Sequence, residues 1–193
     1  MLLKLLNRLL HKEGTPILND HFHIQGKKVT LRQKKVNDAW NDYIWRADSE
    51  LAELDAAPRL NMTFEQYEPI HKEDLRYPTP RSKRFAVIEN EGEIHIGNCM
   101  YYDLDSQKGQ TEIGVMIGDK GFWDGGYGSE AVTLLTDYLF NELKLERVYL
   151  KTLDWNIRAQ KAFTKIGFSQ YGWSNQGRYK FMLMEISKDK WDL

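Results

Sequence analysis

The eleven residues from Gly121 to Ala131, GFWDGGYGSEA, hold four glycines and run into a stretch with helical apolar spacing. Glycine lets a backbone come close to a ligand, and the free N–H groups at a helix start favour an anion. A diphosphate is the group this chemistry suits. Spacing then sorts the candidates. In a GxxxxGK[ST] loop starting at Gly121, Gly126 falls correctly but Tyr127 stands where lysine is required, which discards nucleotide hydrolysis. Gly126, Gly128 and Ala131 satisfy GxGxxA, and Asp154 ends the next strand region, as in an NAD(P)-binding oxidoreductase. That fingerprint places its first glycine directly after a strand, whereas residues 118–125 intervene here, so this is the weaker reading. A glycine-rich turn that caps a helix and binds nothing stays open.

A second segment, LDWNIRAQKAFTKIGF from Leu153 to Phe168, reads as a capped helix. Asn156 is a good N-cap and Gly167 a good C-cap, with Ala159, Ala162, Phe163 and Ile166 on the buried face. Arg158, Lys161 and Lys165 form a basic stripe, either solvated or facing a phosphate.

The elements around these segments are legible from periodicity. His23 to Arg32 reads as two strands with a tight turn at Gly26. A helix is expected from Asn37 to Arg46, then an irregular stretch from Leu51 to Leu60. Thr63 and Gln66 fit a capping box opening a second helix. Leu75 to Arg84 is a loop by its prolines. Phe85–Ile88, Ile94–Tyr102 and Glu112–Ile117 read as an antiparallel meander. A helix follows from Ser129 to Leu143, a strand from Arg147 to Thr152, the Asn156 helix, and strands near Phe168–Tyr171 and Tyr179–Ile186. The order defines an α+β, or mixed α/β, domain: a mostly antiparallel twisted sheet with flanking helices and one parallel strand-helix-strand unit. Residues 23–193 form this domain, and residues 1–22 a leucine-rich amphipathic helix with its lead-in.

Composition excludes several classes. Lysine plus arginine, 27, nearly match aspartate plus glutamate, 28, so the basic footprint of a nucleic-acid binder is missing. Cys99 is the only cysteine, so no intrachain disulfide or cysteine zinc site is expected. The five histidines lack HxxxH or HExxH spacing, and no metal is expected. Met1 to Lys12 lacks the apolar run and cleavage site of a signal peptide, and no transmembrane stretch occurs. The segment is expected to pack on its own domain or on a second copy of the chain, which leaves a homodimer open; docking on an anionic membrane surface is the alternative. The expected setting is the cytoplasm, without stable membrane insertion.

The glycine loop and the capped helix, in this order, resemble the pyrophosphate loop [Q/R]xxGx[G/A] and later helix NxxAxxxYxxxGF of the GNAT acyl-CoA N-acyltransferase superfamily. WDGGYGSEA is similar to the WGKGYGTEA version in the branch that acetylates ribosomal-protein N-termini. VTLR, Ile96–Asn98 and Glu112–Ile117 carry the same resemblance, which runs from about Val29 to the end. It implies a GNAT-like fold and acetyl-CoA as co-substrate, with no metal. It implies that Trp123, Asp124, Gly125, Gly126, Tyr127, Gly128 and Ser129 meet the diphosphate, that Asn156, Ala159 and Phe163 line the cofactor, and that a backbone N–H of Met116 or Ile117 polarises the thioester carbonyl. Two departures stand out. Asp124-Gly125 replaces a Gly-Lys pair, which removes a cation beside the diphosphate. Phe163 replaces a tyrosine acid, so that role does not carry over; Tyr149, Tyr171 and Tyr179 are open substitutes.

Acetyl transfer asks the protein to hold two reactants together, stabilise an oxyanion and remove a proton from the amine. Glu112 is the candidate base, through water: a carboxylate in an apolar strand whose burial would raise its pKa. A solvent-facing or ion-paired Glu112 is equally open. Cys99 reads as a buried core residue, and His95 points away from the face of Ile94 and Ile96. Asp48, Glu50, Glu53, Asp55, Glu65 and Glu68, with Trp40, Tyr43, Trp45 and Tyr67, would make an acidic and aromatic wall. Such a wall suits a small-molecule or peptide amine: a peptide N-terminus, a polyamine or an aminoglycoside. An ordinary solvated helix face is the plainer reading. A degenerate scaffold that binds without turnover is the alternative function.

Overall fold

The computed structural model describes residues 22–192. The helix expected before residue 22 lies outside the described residues. Strands β1 (His23–Gln25) and β2 (Val29–Gln33) form the expected hairpin. Its turn closes where the Gly26 N–H donates to the Val29 carbonyl at 2.8 Å. A single 3-10 turn, Val36–Asp38, leads into α1 (Ala39–Ala47), followed by α2 (Ser49–Leu54) and α3 (Phe64–Arg76). Then come β3 (Lys83–Glu89), β4 (Ile94–Asp105) and β5 (Gln110–Ile117). After a 3-10 turn at Lys120–Phe122 the chain forms α4 (Tyr127–Asn141), β6 (Arg147–Leu153) and α5 (Ile157–Ile166). It ends in β7 (Ser169–Gln176), β8 (Tyr179–Ser187) and α6 (Lys188–Trp191).

The strands make one sheet in the order β1-β2-β3-β4-β5-β6-β8-β7. Every neighbouring pair is antiparallel except β5 with β6, joined through α4 as the one parallel crossover. This is the mixed fold expected from the order of elements.

The core lies where one face of the sheet meets α4. Alternation puts Val29 and Leu31 of β2, Phe85 and Val87 of β3, Cys99 and Tyr101 of β4, Ile113 of β5, and Val148 and Leu150 of β6 in one buried cluster. From α4, Ala131, Val132, Leu135, Leu139 and Phe140 join it at helical spacing. Burial of each large side chain contributes roughly 1.5–3 kcal/mol. Cys99 is fully inside, and burial pushes its thiol well above the usual range, as a core residue requires.

On the other face α1 is held by charge. Lys34 Nζ donates to Asp42 at 2.8 Å and to Asn98 at 2.7 Å, and Arg32 donates to both Asp38 oxygens at 2.7 and 2.9 Å. His95 belongs to this buried group, 3.1 Å from the Asn98 side chain, and not to the cleft described below. The cluster fixes α1 so that Trp45 covers Gly118; a Cβ there would fall inside the indole ring.

One expected loop is a helix. Residues 51–60 read as irregular, but Ser49–Leu54 is α2 because Asp48 accepts the Leu51 N–H at 2.9 Å and so caps it. The irregular stretch begins after it.

Candidate active site

Two adjacent strands come apart in the middle of the sheet. Parallel pairing of β5 with β6 covers only Gln110↔Arg147, Thr111↔Val148 and Glu112↔Tyr149. Beyond that point β5 stays paired with β4 up to Gly97↔Ile117, and β6 stays paired with β8 up to Leu153↔Phe181. Residues 113–117 and 150–153 therefore face each other without strand partners across an opening. The ends of both strands are tied by side chains: the Trp123 indole donates to the Ile117 carbonyl at 2.7 Å, and Gln160 donates to the Leu153 carbonyl at 2.9 Å.

A cleft of about 420 Å³ runs along one side of this opening. It is lined by Val115, Met116 and Ile117 of β5, by Phe122 to Asp124 and Gly126 to Ser129 of the glycine loop and α4, and by Asn156, Arg158, Ala159, Lys161, Ala162, Phe163 and Lys165 on or before α5. The expected cofactor residues Met116, Ile117, Trp123, Asp124, Gly126, Tyr127, Gly128, Ser129, Asn156, Ala159 and Phe163 are thus gathered on one surface. Gly125 is not part of that lining; its carbonyl accepts Lys28 Nζ at 2.7 Å.

Local sequence explains the loop. Gly126 takes a φ of 82° at the N-cap of α4, a left-handed turn that glycine makes without strain. The first residues of this fifteen-residue helix line the cleft end, and no side-chain cap competes for their N–H groups. Glu130 in that first turn accepts backbone N–H groups of Lys27 and Lys28, which ties the loop to the β1–β2 turn. Across the cleft Asn156 caps α5 by accepting the Ala159 N–H at 3.2 Å. The Arg158 guanidinium stacks 3.8 Å from the Trp123 ring centre, so one member of the basic stripe is fixed over the loop. Lys161 and Lys165 share the cleft wall. Apolar lining at the strand end, free helix N–H groups and three cations suit an acylated thiol on an arm that ends in phosphates.

A second, smaller cavity fills the opening between the strands. Tyr102, Ile113, Gly114, Val115, Lys151, Phe163, Phe181, Leu54 and Asp55 are among its walls. Glu112 sits beside it, behind two of those walls. The Tyr102 hydroxyl donates to Glu112 at 2.6 Å, and Lys151 Nζ lies 3.6 Å from the same oxygen. Burial, with the hydrogen bond and charge of Glu112, pushes the Tyr102 phenol far above its usual range, so it stays protonated. Of the candidate substitute acids, Tyr149 lies at the last paired position before the strands part, and Tyr179 donates to Glu53 at 3.1 Å. Tyr171 packs 5.0 Å from the Arg147 guanidinium. None of the three borders either cavity.

Tyr102 and Lys151 were not legible as site residues. Their signal is the register Tyr102↔Glu112, which puts Tyr102 on the face opposite the core. The acidic wall also resolves. Asp48 and Glu50 pair with Lys120, Glu53 with Arg178, and Glu68 with Lys72. Trp45 is buried, and Trp40, Tyr43, Phe64 and Tyr67 stack on one another between α1 and α3.

The GNAT acetyltransferase domain model matches residues 28–169. The chain therefore belongs to the GNAT acetyltransferase family, whose members draw an acetyl group from acetyl-CoA. It is 34% identical over 92 residues to the uncharacterized N-acetyltransferase p20 of Bacillus licheniformis, covering 48% of this chain and 51%, about half, of that relative. It is 23% identical over 185 residues to the N-acetyltransferase 9-like protein of Caenorhabditis briggsae, covering 90% and 89% of the two chains. Among solved structures, spermidine N-acetyltransferase from Vibrio cholerae in complex with CoA and spermine superposes with a TM-score of 0.75 at 17% identity, over 87% of this chain and 100% of that one. That likeness is one of fold. Among the described residues no helix is long and apolar enough to cross a membrane.

Proposed function

We propose that this chain transfers the acetyl group of acetyl-CoA directly to a primary amine, in the opening between β5 and β6. The observation that carries the reading is the end of strand pairing at Glu112↔Tyr149, with a phosphate-suited cleft on one side and a small polar cavity on the other. A bound acetyl-CoA supplies the thioester carbonyl. The glycine loop holds the diphosphate by backbone N–H groups, with Gly126, Tyr127, Gly128 and Ser129 at the helix start. Arg158, Lys161 and Lys165 offset the negative charge that Asp124 adds. Of the two expected donors, Met116 turns its N–H into the ladder with β4, and Ile117 faces the gap and offers the N–H that polarises the carbonyl. Asn156 sets the start of α5, and Ala159 and Phe163 give the arm an apolar wall. Phe163 supplies no proton.

Glu112 takes part from behind the cavity. It fixes Tyr102 and Lys151, and reaches the amine only through them or through a water. The acceptor is a small-molecule or peptide amine, and a polyamine is the class that the spermine-bound neighbour favours. We keep the cytoplasm as the setting, since the one cysteine leaves no intrachain disulfide to form.

The test has two stages. Acetyl-CoA should raise the melting temperature more than NAD, NADP or ATP, because it binds only the folded state. CoA release should then appear with a primary amine such as spermine and not with a quaternary ammonium. Stabilisation by NAD and not by CoA would establish the oxidoreductase reading instead. CoA binding without release for any amine would make the chain a binding scaffold.

A further inference from the structure

Of the six carboxylates in the expected acidic wall, four are already engaged by Lys120, Arg178 or Lys72. Glu65 is tied at the first turn of α3, where Thr63 bonds to it. Asp55 differs from all of these. It borders both the cofactor cleft and the cavity in the strand opening, the place where thioester and acceptor must meet. Its carboxylate has no hydrogen bond or ion pair among the described residues, and feels Arg46 and Lys151 only at a distance.

Its backbone position is also unfavourable. The Asp55 N–H donates to the Leu51 carbonyl at 2.9 Å, so the residue closes α2, and a negative charge at a helix C-terminus is disfavoured. The next residue, Ala56, has a φ of 51°, in the left-handed region that favours glycine. Two adjacent departures from local preference, beside a cavity, mark a functional position more than a packing one.

We propose that Asp55 receives the acceptor amine: the ammonium docks on its carboxylate, and that carboxylate takes the proton which must leave before nitrogen can attack. The inference rests on the acetyltransferase reading above. In the step, one ammonium proton moves to Asp55 and the nitrogen lone pair forms the N–C bond. The C–S bond then breaks, the sulfur leaves with its electron pair, and the second N–H proton ends on sulfur to give the free thiol. Asp55 returns its proton to solvent, so one proton is released per acetyl group moved.

The surroundings suit this task. Arg46 faces Asp55 from α1 and Lys151 from β6, and the Tyr102 phenol borders the same cavity from β4. Asp124 and the α5 cations Arg158, Lys161 and Lys165 line the cofactor cleft that Asp55 also borders. Asp55 is exposed at the mouth shared by the cleft and the cavity, where an ammonium can reach it. The protein packed beside it raises its affinity for a proton, against the opposing charges of Arg46 and Lys151. A carboxylate shifted in this direction is a better base near neutral pH. Glu112, by contrast, has its oxygen occupied by Tyr102.

The experiment compares wild type, Asp55→Asn, Asp55→Glu and Glu112→Gln, reading CoA release against pH with spermine and acetyl-CoA affinity by calorimetry. For wild type, kcat/KM for the amine should rise as Asp55 loses its proton and fall above the amine's own pKa, because the ammonium is what docks. Asp55→Asn should lose the acidic limb, fall about 10²-fold at neutral pH, and climb toward the amine's pKa, where no proton acceptor is needed. Its acetyl-CoA affinity should stay, and Asp55→Glu should recover part of the rate with the limb restored. A wild-type profile in Asp55→Asn, or loss of the limb in Glu112→Gln instead, overturns the assignment while leaving the acetyltransferase reading in place. A wild-type protein that binds acetyl-CoA and acetylates no amine ends both.

Discussion

Tyr102 on β4 donates its hydroxyl to Glu112 on β5 at 2.6 Å, and of the two it is the tyrosine that borders the strand opening. The pair lies directly opposite in the antiparallel register, so the contact follows from strand geometry. A half-buried phenol that cannot easily ionise is a dependable donor. It fixes which way the carboxylate points. Lys151 at 3.6 Å adds an opposite charge to the same oxygen. The three side chains form one wall whose outer members, Tyr102 and Lys151, line the strand opening.

This wall predicts a modest role for Glu112. Glu112→Gln keeps an acceptor for Tyr102 but leaves Lys151 without its countercharge. Turnover should fall by less than about tenfold, with the acidic limb of the pH profile in place. A direct general base would instead show roughly 10²-fold or more. Steady-state rates across pH separate the two.

Gly126 is the conformational requirement of the loop. Its φ of 82° places it where an L-residue costs about 1–2 kcal/mol, and a Cβ there would meet only Lys28 Nζ, at 3.9 Å. Gly126→Ala should fold, with a melting temperature lower by a few degrees. Its CoA affinity should fall about tenfold, since the turn that aims the helix N–H groups is the one disturbed. Calorimetric titration with CoA would show an unchanged affinity if the loop does not hold the diphosphate.

Much of this was legible in the sequence, for identifiable reasons. Strands and helices announced themselves by period, and the glycine loop and the Asn156–Gly167 helix by residue types that only caps and close approaches favour. The α2 helix was missed because its cap, Asp48, precedes a short segment ended by Ala56 and Pro58, which reads as a break. The side chains around the strand opening were harder to read for another reason. Asp55 reads as one of six acidic wall residues, with nothing local to single it out. Tyr102 and Lys151 come from elements far apart in sequence, and only the β4–β5 register joins Tyr102 to Glu112. That register shifts between Tyr102 and Asp105, with Asp103 at a φ of 53°, so counting back from the turn at Gly109 does not reach the right pairing. Equally, nothing local shows that Lys120, seventy residues on, takes up Asp48 and Glu50.

The buried cluster under α1 predicts an acid limit to stability. Burial alone would raise the Asp38 carboxyl, but hydrogen bonds from Arg32 and the charge of Lys34 outweigh it and hold it at about 2, below its ordinary 3.8. A depressed carboxyl stabilises the fold fully above its unfolded pKa and loses that contribution as pH falls through the folded value. Between about pH 4 and pH 2, wild type should therefore lose roughly 2 kcal/mol from this group. Asp38→Asn should be destabilised by about 3–5 kcal/mol at pH 7, because Arg32 keeps a largely buried charge without its partner, while Lys34 retains Asp42. Urea unfolding at pH 7 and pH 2.5 tests both, and the gap between the proteins should narrow at low pH. A gap that stays constant would remove Asp38 from the account.

Phe163 separates two ways of completing the reaction. It is largely buried, borders both the cleft and the strand opening, and has its ring centre 6.2 Å from that of Phe168. If the thiol acquires its proton from the amine or from solvent, Phe163 serves only as an apolar wall. Phe163→Tyr then keeps the ring and should change turnover by less than about threefold, well below the 10²-fold scale of a working acid. If the site lacks an efficient donor, the new hydroxyl would supply one, and turnover would rise. We expect the first outcome, because Asp55 and solvent already balance the protons of the step. Stability should fall by ~1–3 kcal/mol if the hydroxyl finds no partner inside the wall. The measurement is the rate of CoA release at saturating acetyl-CoA and spermine for both proteins, with melting temperatures taken alongside. A rise above about tenfold in the tyrosine variant would show that leaving-group protonation limits the natural enzyme, and that the proton path through Asp55 is incomplete.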